Sequence, residues 1–398
     1  HYMFSHIHDI IIVEEVRLMY KGIECKLYPN QTQAELIQMT FGHTRFIWNQ
    51  MLGMLKERYQ NNPNLKMLPY SKLSSLIPQL KQEYPWLKDV DSVAIQCSVK
   101  KLSETFDRFF KGLCRYPKFK SRKQTLQSYL STIRGQNIRF NHNQRYVKLP
   151  KLGWVKCRIS VPHIENERIK SITLKQKPSG HYMMSVLVES DNQALAKTHQ
   201  TVGIDLGVSD FAITSDGHKY QSQKLHLKYQ KQLHSWEKRM ARRRIRAKAK
   251  GKSLLEAKNY QKARQQVARI HEKIAHTRKD YIHKITTDLV ENYDVIVIED
   301  LKTANLLKNH HLARSIASQS WHQFKTILKY KCERYGKQLH CVNPYKTSQY
   351  CSHCGYDSGK KSLDIRQWRC PSCHTVHDRD INAAKNIKII GLGQALVK

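Results

Sequence analysis

Four of the ten cysteines form two tight pairs, in "CSHC" and "CPSC": Cys351 with Cys354, and Cys370 with Cys373. The pattern C-x2-C-x15-C-x2-C puts each pair on a knuckle whose two thiolates can face one tetrahedral Zn²⁺, while the intervening loop brings the second pair round. Four thiolates close the shell, so such a zinc is structural. Gly355 suits the turn after the first knuckle, and His353, His374 and His377 stand nearby but outside the expected shell. The alternative is four buried or disulfide-linked cysteines. The spacing disfavours it, and so do the other six cysteines, which are scattered singly and describe a reducing, intracellular compartment rather than a disulfide framework.

Carboxylates offer a second chemistry. Asp205 closes an apolar run in "VGIDLG", and Glu299 closes another in "VIVIED". Each has a plain alternative, because Asp-x-Gly often only turns a strand and strand ends often carry acids that face solvent. Both runs nevertheless read as strands of one sheet, and α/β domains build their sites along one sheet edge. Acids gathered there need a counter-charge, for which a divalent metal is usual. Three carboxylates around two Mg²⁺ suit phosphodiester hydrolysis, one ion sharpening the attacking water and the other steadying the leaving oxygen. The third acid is expected from "CPSCHTVHDRDINAAKN", which contains Asp378 and Asp380. With "DINAAKNIKII" helical at about 100° per residue, Asp380 shares a face with Ala383, Ala384 and Ile387, the small apolar side that would pack on a sheet. Asp378 falls on the opposite side and is expected to be a flanking residue. A helix N-cap is the other reading of Asp380, and the two are compatible.

These residues need elements to hold them. "GIECKLYP" alternates like a strand, and the thirty residues from Gln31 carry apolar positions at helical spacing. "DSVAIQCSVKKLSETFDRFFKG" reads as a second helix with Ile95, Val99, Leu102, Phe106 and Phe109 on one face. From about 115 to 190 the texture is short alternating strands with turns between them, as in a small β-barrel or curled sheet. The basic stretch "CRYPKFKSRK" opens that region, and Lys118, Lys120, Arg122 and Lys123 are phosphate-contact candidates there; a solvated basic loop is the alternative. After 200, "TVGIDLGVSDFAITSDGHKY" reads as strands with Ser215-Asp216-Gly217 as a hairpin turn. Two long helical stripes follow, one through Tyr229, Leu233, Trp236 and Met240, the other through Val267, Ile270, Ile274 and Tyr281. The link between them, "KRMARRRIRAKAKGK", has no acid and supplies Arg242, Arg243, Arg244 and Arg246 as candidates for tracking a nucleic-acid backbone; a solvated face or tail is the alternative. A buried strand from Val295 to Ile298, a helix and another strand complete one α/β domain.

The chain has 398 residues, enough for two to four domains. Its 69 Lys and Arg against 32 Asp and Glu leave a formal charge of +37, which points to a polyanionic partner, nucleic acid before membrane. No apolar run approaches transmembrane length, and the basic residues are spread over the whole chain. No secretory signal is expected: "IIIV" is short and is followed by Glu14 and Glu15. The natural start is expected at Met19, with residues 1–18 an extension.

"GIDLGVSDFAITSDG", "VIVIEDL", "NPYKTSQYCSHCGY" and "CPSCHTVHDRDINAAKNI" together resemble the RuvC-like nuclease core and zinc ribbon of the TnpB family. These are transposon-encoded, OrfB-type proteins related to type V CRISPR effector nucleases. Looser similarity extends upstream through "RFFKGLCRYPKFKSRK" and "ECKLYPNQTQAELIQMTFGHTRFIWN", so the resemblance covers nearly everything after Met19. It implies a multidomain α+β chain, with an RNase H-like (RuvC) α/β nuclease domain interrupted by a zinc ribbon, and an N-terminal β-barrel with a helical insert. The implied boundaries are 19–40 and 115–195 for a wedge-like barrel and 41–114 for a helical recognition domain. They continue with 200–345 for the nuclease domain, 346–374 for the ribbon and 375–398 for the end of the nuclease domain.

The resemblance also implies an RNA-guided endonuclease that cuts double-stranded DNA beside a short adjacent motif. A guide RNA from the transposon end would be its partner, structural Zn²⁺ and two catalytic Mg²⁺ its metals, and the prokaryotic cytoplasm its location, on the nucleoid when DNA is bound. Asp205, Glu299 and Asp380 fall on the family's catalytic acids, and Cys351, Cys354, Cys370 and Cys373 on its zinc ligands. A strongly basic protein holds nucleic acid through phosphates, which carry little sequence information, so base pairing with a guide can carry the sequence instead. Two other functions stay open: a transposase that joins DNA strands by itself, and a non-catalytic, guide-directed repressor.

Overall fold

The computed structural model describes residues 19–393 except 124–125, 162, 192, 310–312 and 363, and leaves out the side chain of residue 165. The expected extension, residues 1–18, and residues 394–398 lie outside the described part. The chain forms two compact units that meet in sequence between Asp191 and Asn192.

The first unit is built on seven antiparallel strands: β1 (Met19–Tyr28), β2 (Ser128–Thr132), β3 (Arg139–Phe140), β4 (Tyr146–Leu149), β5 (Gly153–Ile159), β6 (Arg168–Gln176) and β7 (Tyr182–Ser190). Their order is β2-β6-β7-β1-β5-β4-β3, so the first strand lies in the middle of the sheet. Asn30 and Gln33 start the helix Gln31–Asn61 with a reciprocal cap: the Asn30 side chain accepts from the Gln33 amide at 2.8 Å, and the Gln33 side chain accepts from the Asn30 amide at 3.1 Å. The early turns of this helix place Ile37 and Phe41 in the core of the sheet. Its later turns place Ile47, Met51 and Leu52 against Ile95, Val99 and Leu102 of the second helix, Ser92–Phe110. One helix therefore serves two cores. The sheet does not close into the expected barrel; β2 and β3 remain its edges, giving a half-barrel. Ile37, Phe41 and Ala94 bury its apolar face, which removes the need to bury it by closure.

The second unit contains β8 (Thr201–Leu206), β9 (Asp210–Thr214), β10 (Lys219–Gln221), β11 (Val295–Glu299) and β12 (Gln338–Val342), in the order β10-β9-β8-β11-β12. β8, β11 and β12 are parallel, β9 pairs antiparallel with β8, and β10 pairs antiparallel with β9. Val202, Ile204, Ile296 and Ile298 face the helices Lys258–Asn292 and Trp321–Tyr335 through Ile282, Leu289, Phe324 and Leu328. Val297 on the opposite face meets Ile387 of the helix Arg379–Gly391. The sheet is thus covered on both faces, as parallel strands require. The acid-free block is helix rather than link: Gln230–Ala249 runs through it and packs Leu233 and Trp236 with Ile270 and Ile274.

A clamp gathers the starts of the three parallel strands. Lys337 donates to Asp294 at 2.6 Å and to the Ala196 carbonyl at 2.8 Å, and Asp294 also accepts from the amides of Thr198 and His199. The hydrogen bond from Lys337 holds the Asp294 carboxyl well below the usual carboxylate range. A depressed carboxylate stabilises the fold above its unfolded pKa of about 4, and that contribution is lost as pH falls through the folded value. Asp294→Asn is therefore expected to unfold at lower denaturant than the parent at neutral pH, with the gap narrowing in acid. Denaturation curves that keep the same separation from neutral pH down to the acid range would exclude this role.

Candidate active site and metal centre

In the parallel ladder Ile298 stands beside Ile204. The next residue on each strand is an acid, Glu299 and Asp205, on the face that also carries Val297 and Gly203. The helix Arg379–Gly391 lies very low across this face. A Cβ on Gly203 would come 2.1 Å from the Ala384 carbonyl oxygen, and one on Gly391 would come 2.3 Å from Val297 Cγ1. Glycine at these two points lets helix and strands approach. Ala383, Ala384 and Ile387 are buried, which is the phase expected from the sequence. That phase leaves Asp380 in the first turn, close enough to raise the pKa of Asp205.

Asp378 differs from expectation. It is the N-cap of the helix, accepting from the amides of Asp380 and Ile381 at 3.0 and 3.1 Å, and it pairs with Lys219 at 2.6 Å. The cap reading given to Asp380 thus belongs to Asp378. Asp380 is free of that duty, and its carboxylate contacts Arg366 at 3.3 Å.

Burial pushes the Asp205 carboxyl up, and the charges of Glu299 and Asp380 push it further, against the pull of Arg379. Burial also raises Glu299, opposed by a hydrogen bond from Thr347 at 2.6 Å. A buried carboxyl raised by two neighbouring acids marks a place where a divalent cation would be held by hard oxygen ligands. The three carboxylates are less tightly gathered than the four cysteines, whose ligand atoms all lie within 4.8 Å of one another.

The cysteines pass a direct fit test. Sγ of Cys351 is 3.7 Å from that of Cys373, and Sγ of Cys354 is 3.6 Å from that of Cys370. Zn–S bonds of about 2.3 Å give a tetrahedral S···S edge of about 3.8 Å. The short antiparallel pair β13 (Gln367–Arg369) and β14 (Val376–Asp378) carries the second knuckle, with Trp368 stacked near His377. His377, outside the expected shell, has Nε2 at 3.0 Å from Cys351 Sγ, the contact a second layer makes to steady a thiolate.

Three family models match the chain. One, described as a probable transposase, covers residues 184–310; a Cas12f1-like TNB domain covers 321–387; a helix-turn-helix domain covers 19–63. Residues 19–63 here fold as β1 followed by one long helix. A "Putative RNA-guided DNA endonuclease" of Streptomyces pristinaespiralis is 33% identical over 377 residues, 94% of this chain and 89% of the relative. The chain belongs to the OrfB/TnpB family. A second such relative, "Putative RNA-guided DNA endonuclease InsQ" of Escherichia coli (strain K12), is 30% identical over 93% of this chain and 92% of its own length. The fold is also that of the protein in a cryo-EM structure of a Cas12f1–sgRNA–target DNA complex, with a TM-score of 0.55 at 16% identity over 90% of this chain and 83% of that one.

In this OrfB/TnpB chain the basic candidates separate by setting. Lys118, Arg122 and Lys123 are exposed. Lys120 is not presented freely: its ammonium lies 3.5 Å over the Trp48 ring, burial lowers its pKa to about 8, and Asn49 binds its backbone amide and carbonyl. Arg242, Arg244 and Arg246 are exposed, whereas Arg243 donates to the Asn259 carbonyl at 2.9 Å. Among the described residues no helix is long and apolar enough to cross a membrane.

Thr347, Asn382 and Asn386 escaped the sequence reading. Asn382 and Asn386 stand four apart on the buried side of "DINAAKNI" and are 1% and 0% exposed. Amides in the apolar phase of a helix were the available signal, because buried polar groups have partners.

Proposed function

We propose that this chain is a transposon-encoded RNA-guided endonuclease that cuts double-stranded DNA beside a short adjacent motif. The observation that carries the reading is the convergence of Asp205, Glu299 and Asp380, from two strands and a helix, in a chain that matches named RNA-guided DNA endonucleases over nearly its full length. The second unit reads as an RNase H-like (RuvC) nuclease domain interrupted by a zinc ribbon over residues 346–374. The first unit reads as the wedge with its helical recognition insert. Guide RNA and target DNA are the partners, held by phosphate contacts in which Lys118, Arg122, Lys123, Arg242, Arg244 and Arg246 take part.

The three carboxylates supply oxygen ligands for two Mg²⁺, and Cys351, Cys354, Cys370 and Cys373 supply thiolates for one Zn²⁺. Mg²⁺ held by Asp205, Glu299 and Asp380 would supply Lewis-acid chemistry there, activating water and steadying the leaving oxygen. The residues themselves fix where that charge sits. Glu299 is set at the end of a buried strand, and Asp380 at a helix start whose dipole favours an anion.

The test is cleavage of a plasmid library by protein co-purified with its RNA, with and without Mg²⁺. Cutting that follows the guide sequence and needs the metal is expected; intact plasmid under every guide would overturn the reading. For the ribbon, metal analysis is expected to find one zinc per chain and none in Cys370→Ser. A variant that retained full zinc would remove these cysteines as the ligand set.

A further inference from the structure

Glu299 is 7% exposed, and the hydrogen bond to its carboxylate among the described residues comes from one side chain, the hydroxyl of Thr347 at 2.6 Å. Thr347 is itself buried, at 4% exposure. It does not belong to the sheet; the chain has left β12 at Val342 and is on its way to the first knuckle at Cys351. The helix that carries Asp380 holds this segment. Asn386 donates to the carbonyls of Thr347 at 2.8 Å and Tyr350 at 2.7 Å. Asn382 donates to the Tyr350 carbonyl at 2.8 Å and accepts from the Ser352 amide at 2.9 Å. Two amides one turn apart therefore tie residues 347–352 to the helix, and the segment's first residue reaches back to the acid on the neighbouring strand.

We propose that Thr347 is the positioning residue of Glu299, and that Asn386 fixes Thr347 from the helix that delivers Asp380. The inference rests on the reading of Glu299 as a metal-binding acid. A carboxylate at a strand end can turn about its side-chain torsions, and one strong bond to one oxygen leaves the other oxygen a defined direction. A hydroxyl that merely satisfied a buried acid would affect stability alone. A positioning hydroxyl also affects metal affinity and the rate of cleavage at limiting metal.

The experiment compares Thr347→Val, Thr347→Ser and Glu299→Gln in the full chain with its guide RNA. Mg²⁺ and Mn²⁺ binding are measured by calorimetry, single-turnover cleavage is followed across metal concentration, and melting is recorded for each variant. Loss of a hydrogen bond to a charged group predicts metal affinity and low-metal cleavage reduced about 10- to 100-fold in Thr347→Val. Thr347→Ser keeps the hydroxyl and restores both readouts. If Thr347→Val melts early, Thr347→Ala replaces it, removing the hydroxyl without a branched methyl. Unchanged metal binding and low-metal cleavage in the folded variant, with Glu299→Gln inactive, would overturn the inference. Full cleavage by Glu299→Gln would overturn the reading of Glu299 beneath it, which separates the two failures.

Discussion

Asp205→Asn is expected to take up guide RNA and target DNA as the parent does and to leave the DNA uncut. Asparagine keeps the shape of the side chain and removes its charge. Asp205 is the acid on which the other two act, since both Glu299 and Asp380 raise its pKa. On the proposed two-metal reading, losing it would remove the centre of the cation site, and several kcal/mol of metal stabilisation of the transition state corresponds to about a thousandfold or more in rate. Asp380→Ala should fall in the same class. Asp378→Ala should not: it loses a helix cap and the pair with Lys219, a stability cost of about 1 kcal/mol with cutting retained. Single-turnover cleavage of the three variants beside filter binding of the guide decides the matter. Wild-type cutting by Asp205→Asn or Asp380→Ala, or a dead Asp378→Ala with normal melting, would redraw the triad.

The second large effect comes from a residue with no functional group. Gly203→Ala puts a methyl 2.1 Å from the Ala384 carbonyl oxygen and 2.6 Å from the Lys388 amide nitrogen, both backbone atoms of one helix. No rotamer relieves such a contact, so the helix must lift from the sheet and take Asp380 with it. Overpacking of this kind sits at the upper end of its usual range, about 3 kcal/mol. Gly22→Ala in β1 is the control, because its nearest neighbour would be the Ser185 hydroxyl at 3.9 Å, an ordinary contact. Gly203→Ala should lose both melting temperature and cutting, while keeping its zinc. If it cut and melted like the parent, the close seating of this helix would have no bearing on the site.

What could be read from residues alone was whatever had a local period. The apolar run before Glu299 is unbroken, so its strand was plain, and the phase of Ala383, Ala384 and Ile387 put Asp380 inward. The cysteine spacing stated its own geometry. Non-local pairing was harder. Whether the first sheet closes depends on β1 taking its place between β5 and β7, more than a hundred residues downstream, and on helices covering a face that closure would otherwise bury. The N-cap went to Asp378 rather than Asp380 because a helix start is decided within two residues, below the resolution of a periodicity argument. The acid-free block looked like a solvated link because of its charge. Arginine, lysine and alanine are nevertheless good helix formers, and the stripe of Leu233 and Trp236 had already started the turn. Thr347 was invisible because nothing near it in sequence names a partner 48 residues away.

Strand β14 ends at Asp378 and the helix begins at Arg379, so the hairpin that carries the second knuckle and the acid-bearing helix share a junction with no spare residue. Such a seam has no tolerance for insertion. One extra amino acid there would turn everything after it by about 100° and swing the first-turn carboxylate off the sheet. The alanine face that seats on Gly203 would turn away with it. The segment with the two cysteine knuckles is therefore no cassette to be lengthened, trimmed or exchanged at will. Any graft from a relative has to preserve the count across this seam to the residue, whatever liberties it takes in the loop between the knuckles.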